Sequence, residues 1–501
     1  MKSTIACCSI PLLLLPCAWS AEAPDARVVD AIVKDSMRAW EVPGAAVVIV
    51  LEDRVVYLQG FGVKEQGGKD SVTPDTIFAL GSCSKAFTTT LMAMLVDDGK
   101  MGWDDSVRKH LGYFHLRDPV ADAGVSMRDL VTHRTGVGSH DLLWYRSPLS
   151  LEDRVRKLAV LEPAYPFRSG FQYQTSMFTA AGLAVESTAG DKWSDLVQNR
   201  ILDPLRMKSA RLTSTAALKA ADHALPHRRG ERGTIETVDW YPLKEPDPAG
   251  SVSASARDLG QWLRLHLNHG TVADRRLVSA RNIDETHTPQ NVIRMDATAQ
   301  AVHPETTLMS YAMGWVVHDY RGQRLVAHAG LIDGFRVQIT MVPEKKLGIA
   351  VLTNLHEARM TTSVSCSLVD VYLGLKRRDW DEYLLRVARD EAEAQTARRK
   401  EKEDARQPEL KPTRELPAYV GRYQDEAYGK MEIKLQDGSL VLTWNSFSCP
   451  LKHFKGDGFT VEIGPAGLCD LDFSVAAKTH EVVSFKISEP IGREFKRVTA
   501  P

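Results

Sequence analysis

Residues 45–51 read Ala-Ala-Val-Val-Ile-Val-Leu, an unbroken apolar run near the start of the chain. A short charged turn follows, then a strand-like stretch from Arg54 to Leu58, so the two together read as a strand hairpin. A second block of strand pattern lies far downstream, at Leu325 to Ala329, Phe335 to Val342 and Leu347 to Leu352. Gly330, Asp333-Gly334 and Pro343-Glu344 mark its turns. Helical patterns fill the interval. A sheet drawn from both ends of one stretch of chain has to be closed by segments remote in sequence. The expectation is a mixed α/β unit over residues 24–376.

At 501 residues the chain is long enough for two or three domains. Its 44% hydrophobic and 25% charged residues suit a globular protein with a sizeable core. Lys+Arg and Asp+Glu nearly cancel, 63 against 64, which removes the whole-chain basic field of a nucleic-acid binder. Residues 1–20 read as a secretory signal. Lys2 supplies the positive charge, Ile5 to Leu15 is mostly apolar, Pro16 breaks the segment, and Ala18 and Ser20 offer small residues for cleavage before Ala21. A membrane anchor is disfavoured, because the run falls short of the ~20 residues a span needs. The expectation is a periplasmic or secreted protein with no stable membrane span. Of seven cysteines, Cys83, Cys366, Cys449 and Cys469 lie beyond the signal. Export permits disulfides, and Cys449 and Cys469, close together in a β-rich stretch, are the best candidate pair, with connectivity open. The chain holds no CxxC, no HExxH and no Gly-rich phosphate loop, so neither a metal nor a cofactor is called for.

Residues 377–413 change character to a charged, helix-favouring segment, read as a solvated helical linker. From there the pattern turns to β over 414–501. Met431-Ile433-Leu435 alternate, Asp437-Gly438 is a hairpin turn, and Leu440-Leu442-Trp444 alternate again. This reads as a small antiparallel β domain, a barrel or a sandwich.

The main chemical signal is Phe78-Ala-Leu-Gly-Ser82-Cys-Ser-Lys85, a short approach segment leading into a helix over Ser82 to Asp98 that Gly99 stops. A serine and a lysine three residues apart project from one face of a helix. A neutral lysine amine can accept the serine proton, and burial with suitable neighbours favours the neutral form. The motif alone is weak. A serine before a helix is ordinarily an N-cap, and Ser106-Val107-Arg108-Lys109 repeats the spacing without the approach segment or the apolar helix.

Two further segments raise its weight, Phe171-Gln172-Tyr173-Gln174-Thr175 and His328-Ala329-Gly330. With Leu130 to Gly136, Asp203 to Met207 and Pro248-Ala249-Gly250-Ser251 they follow a known order. The chain resembles the class C serine β-lactamases and penicillin-binding-protein-like hydrolases, which carry SxxK, Tyr-x-Asn and Lys-Thr-Gly or His-x-Gly in sequence. The resemblance covers nearly all of the chain after the signal. It implies a β-lactamase/transpeptidase-like α/β fold, a mixed antiparallel sheet flanked by helices, with a small appended β domain. It also implies Ser82 as nucleophile, Lys85 as its activating partner and Tyr173 as a proton-transferring phenol. His328 would line the cleft and orient substrate or tune Tyr173. Gly330 would let substrate lie against the strand edge. The backbone N–H groups of Ser82 and Leu331 would form the oxyanion hole. His133 reads as structural.

The second motif departs from the family at Thr175, where Asn is usual. Thr offers one hydroxyl against the carbonyl and amide of Asn, so it can contact Lys85 or a substrate amide but not both. The expected function is an exported serine hydrolase of a small-molecule or peptide substrate. It would cleave an amide or peptide bond, that of a D-residue or nonribosomal peptide among the candidates, through a Ser82 acyl-enzyme. Esterase or β-lactamase activity, and a penicillin-binding sensor with little turnover, are the alternatives. Oligomeric state is not legible.

Overall fold

A computed structural model describes residues 24–498 except 231 and 244; the signal-like segment 1–20 lies outside the described residues. The apolar run lies in the strand Gly44–Leu51, whose eight residues are all buried. One edge of this strand pairs antiparallel with Arg54–Gly62. The other pairs with Leu347–Thr353, Ala45 opposite Thr353 and Leu51 opposite Leu347. The sheet continues through Phe335–Val342, Gln323–Ile332, Val316–Tyr320 and Met309–Tyr311 to Asn291–Val292, eight strands in all. Polar alternation is missing from Gly44–Leu51 because both faces are covered. Ala46, Val48 and Val50 join one core with Leu259 and Leu263 of the helix Ala256–Leu267. Ala45, Val47 and Ile49 join a second core with Val29 and Val33 of the helix Ala26–Trp40 and Val364 and Leu368 of the helix Met360–Tyr372.

The helix that follows the approach segment begins later than its sequence indicates. A 3₁₀ turn, Gly81–Ser84, precedes the α-helix Lys85–Asp97, of which Lys85 through Leu95 are buried. The turn is wedged against the strand Gln323–Ile332. Gly81 has φ +50°, and a Cβ there would stand 2.9 Å from both the nitrogen and the oxygen of Leu331. From the other side, a Cβ on Gly330 would come within 1.8 Å of the Leu80 carbonyl oxygen. Gly330 is therefore needed to seat the strand on the Gly81–Ser84 turn, a different reason from the expected approach of substrate.

The C-terminal region is a nearly closed, nine-stranded antiparallel barrel. Its two edge strands, Phe447–Pro450 and Lys452–Lys455, are consecutive in the chain with only Leu451 between them. Aromatic side chains fill it, with Tyr423 tilted against Phe473 and Phe485, and Phe485 stacked on Phe495. The expected Cys449–Cys469 bridge does not form. Both are free, buried thiols, since their strands are not neighbours in the sheet. The connecting helix, Trp380–Asp404, has buried residues in its early turns and none in its later ones. Its start buries Trp380, Leu384 and Val387, and Asp381 accepts hydrogen bonds from Ser36 (2.6 Å) and Trp40 (2.8 Å).

Candidate active site

A 3₁₀ turn has three residues per revolution, so side chains at i and i+3 eclipse one another. The Gly81–Ser84 turn running into Lys85 brings Lys85 Nζ to 3.0 Å from Ser82 Oγ. Lys85 is fully buried. Its second contact is the carbonyl oxygen of Ala249 at 3.1 Å, and the ring of Tyr173 lies beside it, centroid 4.9 Å away. Ser84 Oγ accepts from Val252 N at 3.0 Å, and Thr88 Oγ1 donates to the Pro248 carbonyl at 2.7 Å. The Gly81–Ser84 turn and its helix are thus bound along one side to residues 248–252.

That segment has its own support. Asp247 Oδ1 accepts from Ala249 N (2.9 Å), and Asp247 Oδ2 accepts from Arg154 Nη1 (2.8 Å) in a buried ion pair. Pro248 packs into the helix Thr175–Ala189 where Gly182 leaves room; a Cβ on Gly182 would meet the proline ring at 2.0 Å. The role of Pro248-Ala249-Gly250-Ser251 is not legible in the sequence, because a backbone carbonyl carries no side-chain signature. Thr175, buried in the first turn of its helix, makes no hydrogen bond to Lys85; the Ala249 carbonyl holds the amine instead.

Tyr173 lies two residues before that helix, and His133 fixes its loop. Gln172 N donates to the His133 carbonyl and Gln174 N to His133 Nδ1, each at 3.0 Å. The His133 ring lies 4.3 Å from the rings of both Tyr173 and Tyr311. Burial, and then the charge of Lys85, push the His133 pKa well below the usual histidine value, so its ring is neutral.

His328 is buried beside this group, its ring 6.4 Å from that of Tyr173. Burial first, and Lys85 second, lower its pKa to about 3. The neutral ring donates from Nδ1 to the Ala329 carbonyl (2.6 Å) and accepts at Nε2 from the Tyr311 hydroxyl (3.0 Å). Burial raises the Tyr311 pKa well above the usual phenol value, which keeps it a donor. Both ring nitrogens of His328 are therefore engaged within the protein rather than directed at a substrate. Cys83 Sγ donates to the His328 carbonyl at 3.3 Å, and burial raises this thiol to about 12. The structure thus gathers Ser82, Lys85, Tyr173, His328, Gly330 and Leu331 in one place. Tyr311, an isolated tyrosine in the sequence, was not foreseen. Among the described residues no cluster of His, Cys, Asp and Glu could hold a metal ion, and no helix is long and apolar enough to cross a membrane.

Residues 29–362 match the Beta-lactamase family. The chain belongs to that family. Residues 405–495, within the barrel and its approach, match a domain of unknown function, DUF3471. Among relatives, the unguisins hydrolase of Aspergillus violaceofuscus is 28% identical over 469 residues, 87% of this chain and 82% of that protein. The fold of this beta-lactamase-family chain is shared with the octameric penicillin-binding protein homologue from Pyrococcus abyssi, with a TM-score of 0.61 at 20% identity over 94% of this chain and 100% of that one. It is shared also with the D-amino acid amidase from Ochrobactrum anthropi SV3, with a TM-score of 0.57 at 19% identity over 70% of this chain and 97% of that one. The chain is accordingly a member of a family of serine hydrolases.

Proposed function

We propose that the protein is an exported hydrolase that cleaves an amide or peptide bond through an acyl-enzyme on Ser82. The observation that carries this reading is the 3.0 Å contact between Ser82 Oγ and the fully buried Lys85 Nζ, with the Tyr173 ring beside the amine. In its neutral amine form Lys85 takes the hydroxyl proton, becoming the ammonium, as Oγ bonds to the substrate carbonyl carbon. The carbonyl oxygen gains charge and is met by the N–H groups of Ser82 and Leu331. Collapse breaks the C–N bond, and the leaving amine takes a proton delivered through Lys85 and Tyr173. Water then attacks the acyl-enzyme by the reverse relay and frees the acid. The amide preference draws support from an unguisins hydrolase among the relatives and a D-amino acid amidase among the structures that share the fold. Export rests on the signal-like character of residues 1–20.

The test is labelling by a fluorophosphonate together with a hydrolysis panel of nitrocefin, D- and L-peptides and short esters. Ser82→Ala should lose both label and turnover. A variant that still hydrolyses its substrate rules out this nucleophile.

A further inference from the structure

The barrel reaches the site through a stack of aromatic rings. Asp333, at the turn that follows Leu331 and Ile332, accepts from the Tyr145 hydroxyl (2.8 Å) and from Arg146 Nη2 (2.9 Å). The Tyr145 ring lies against Tyr241 (centroids 5.2 Å, planes 29° apart) and, further off, Phe447 of the barrel (6.4 Å, 28°). Phe447 in turn stacks on Trp444 at 5.9 Å, and the exposed hairpin turn Asn445-Ser446 joins the two. The docking is fixed elsewhere as well. His140 Nδ1 and the Tyr428 hydroxyl are 2.9 Å apart, Lys157 Nζ donates to the Glu426 carbonyl (2.7 Å), and Arg493 donates to that of Val160 (3.3 Å).

Between the two domains this arrangement leaves a cleft of about 870 Å³, walled by Trp144, Leu149 and Tyr241 on one side and by Asn445 and Ser446 on the other. Arg154 also lines it and pairs with Asp247, whose carboxylate holds the Ala249 amide beside the carbonyl that anchors Lys85. The volume lies high in the ~300–1,000 Å³ range of sites that bury a drug-sized ligand. It exceeds what a short acyl group needs.

We infer that the barrel is a specificity element: its Trp444–Phe447 hairpin walls an interdomain cleft that adjoins the Ser82 pocket through the Asp333 turn, two residues beyond Leu331. The cleft takes several residues of a peptide. An aromatic or branched side chain rests on Trp144 and Tyr241, and the backbone meets the polar turn Asn445-Ser446. This inference depends on the serine-hydrolase reading above.

The test uses the full-length protein and the ratio of kcat/KM for phenylalanine-containing peptide nitroanilides of either configuration to that for nitrophenyl acetate. Ser446→Trp, at an exposed turn, should fill the cleft and lower the ratio at least tenfold, mainly through KM. Trp144→Ala, which removes an apolar wall, should lower it in the same direction. An unchanged ratio in both variants overturns the inference, as does a wild-type enzyme that turns over the ester and none of the peptides. Absence of both fluorophosphonate labelling and ester turnover in the wild type would instead overturn the hydrolase reading itself.

Discussion

Lys85 Nζ rests 3.1 Å from the carbonyl oxygen of Ala249, and the amide nitrogen of Ala249 donates to the carboxylate of Asp247. The amine is therefore held by a backbone group whose position depends on a buried acid one shell further from the substrate. Asp247→Asn keeps an acceptor for the amide but leaves Arg154 with a buried charge and no anionic partner. Turnover should fall ~10- to 100-fold with KM little changed, the scale expected when a reacting group is displaced by about 1 Å. Melting should show a loss on the order of 3–5 kcal/mol from breaking the pair. Full kcat in a folded Asp247→Asn variant would remove Asp247 from any positioning role.

Lys85→Ala and Tyr173→Phe should each lower kcat by ~100- to 10,000-fold, the range for positioned acid–base groups. Tyr173 meets its neighbours through ring contacts with Lys85 and His133. Tyr173→Phe should consequently leave the melting temperature near that of wild type. Near-normal rates in either variant would refute that residue's proton-transfer role.

Gly330→Ala tests the seating of the strand on the Gly81–Ser84 turn. The added methyl would come within 1.8 Å of the Leu80 oxygen, so strand or turn must shift. The expected cost is about 1–3 kcal/mol, with slower fluorophosphonate labelling of Ser82. Unchanged stability and labelling together would contradict the steric argument.

Two buried histidines, His287 and His328, and two half-buried ones, His140 and His303, make stability depend on pH. Burial is the largest cause in each case, and it lowers His287 and His328 to about 3 and His140 and His303 to about 4. In the unfolded chain each takes up a proton near ~6.5. Below that pH the unfolded state binds more protons, so stability is full above ~6.5 and declines as pH falls towards 3–4. The slope is up to ~1.4 kcal/mol per pH unit per group. Urea midpoints between about pH 7 and pH 4 should show this fall. His287→Gln, replacing the partner 3.0 Å from His266, should make it shallower. A stability curve flat over that interval would show that these rings are not held neutral by the fold.

The sequence was most informative where chemistry or burial leaves a pattern. Residues 45–51 announced a strand because two cores demand apolar side chains on both faces. Ser82, Lys85 and Tyr173 stood out through ordered motifs. Less visible were roles carried by backbone atoms or by pairs remote in sequence. The Ala249 carbonyl, the Arg154–Asp247 ion pair and the Tyr311–His328 hydrogen bond have no spacing that links them. The Cys449–Cys469 pairing failed for a related reason: nearness along the chain does not decide which strands become neighbours.

Gly44–Leu51 takes its second partner from Leu347–Thr353, near the end of the same domain. During synthesis one edge of that early strand therefore waits, unpaired, until some three hundred further residues have left the ribosome. The pocket also needs Leu331 against Gly81. A nascent chain that already carries Ser82, Lys85 and Tyr173 is thus still without its reactive geometry, and the hydrolase cannot switch on piecemeal while it is being made.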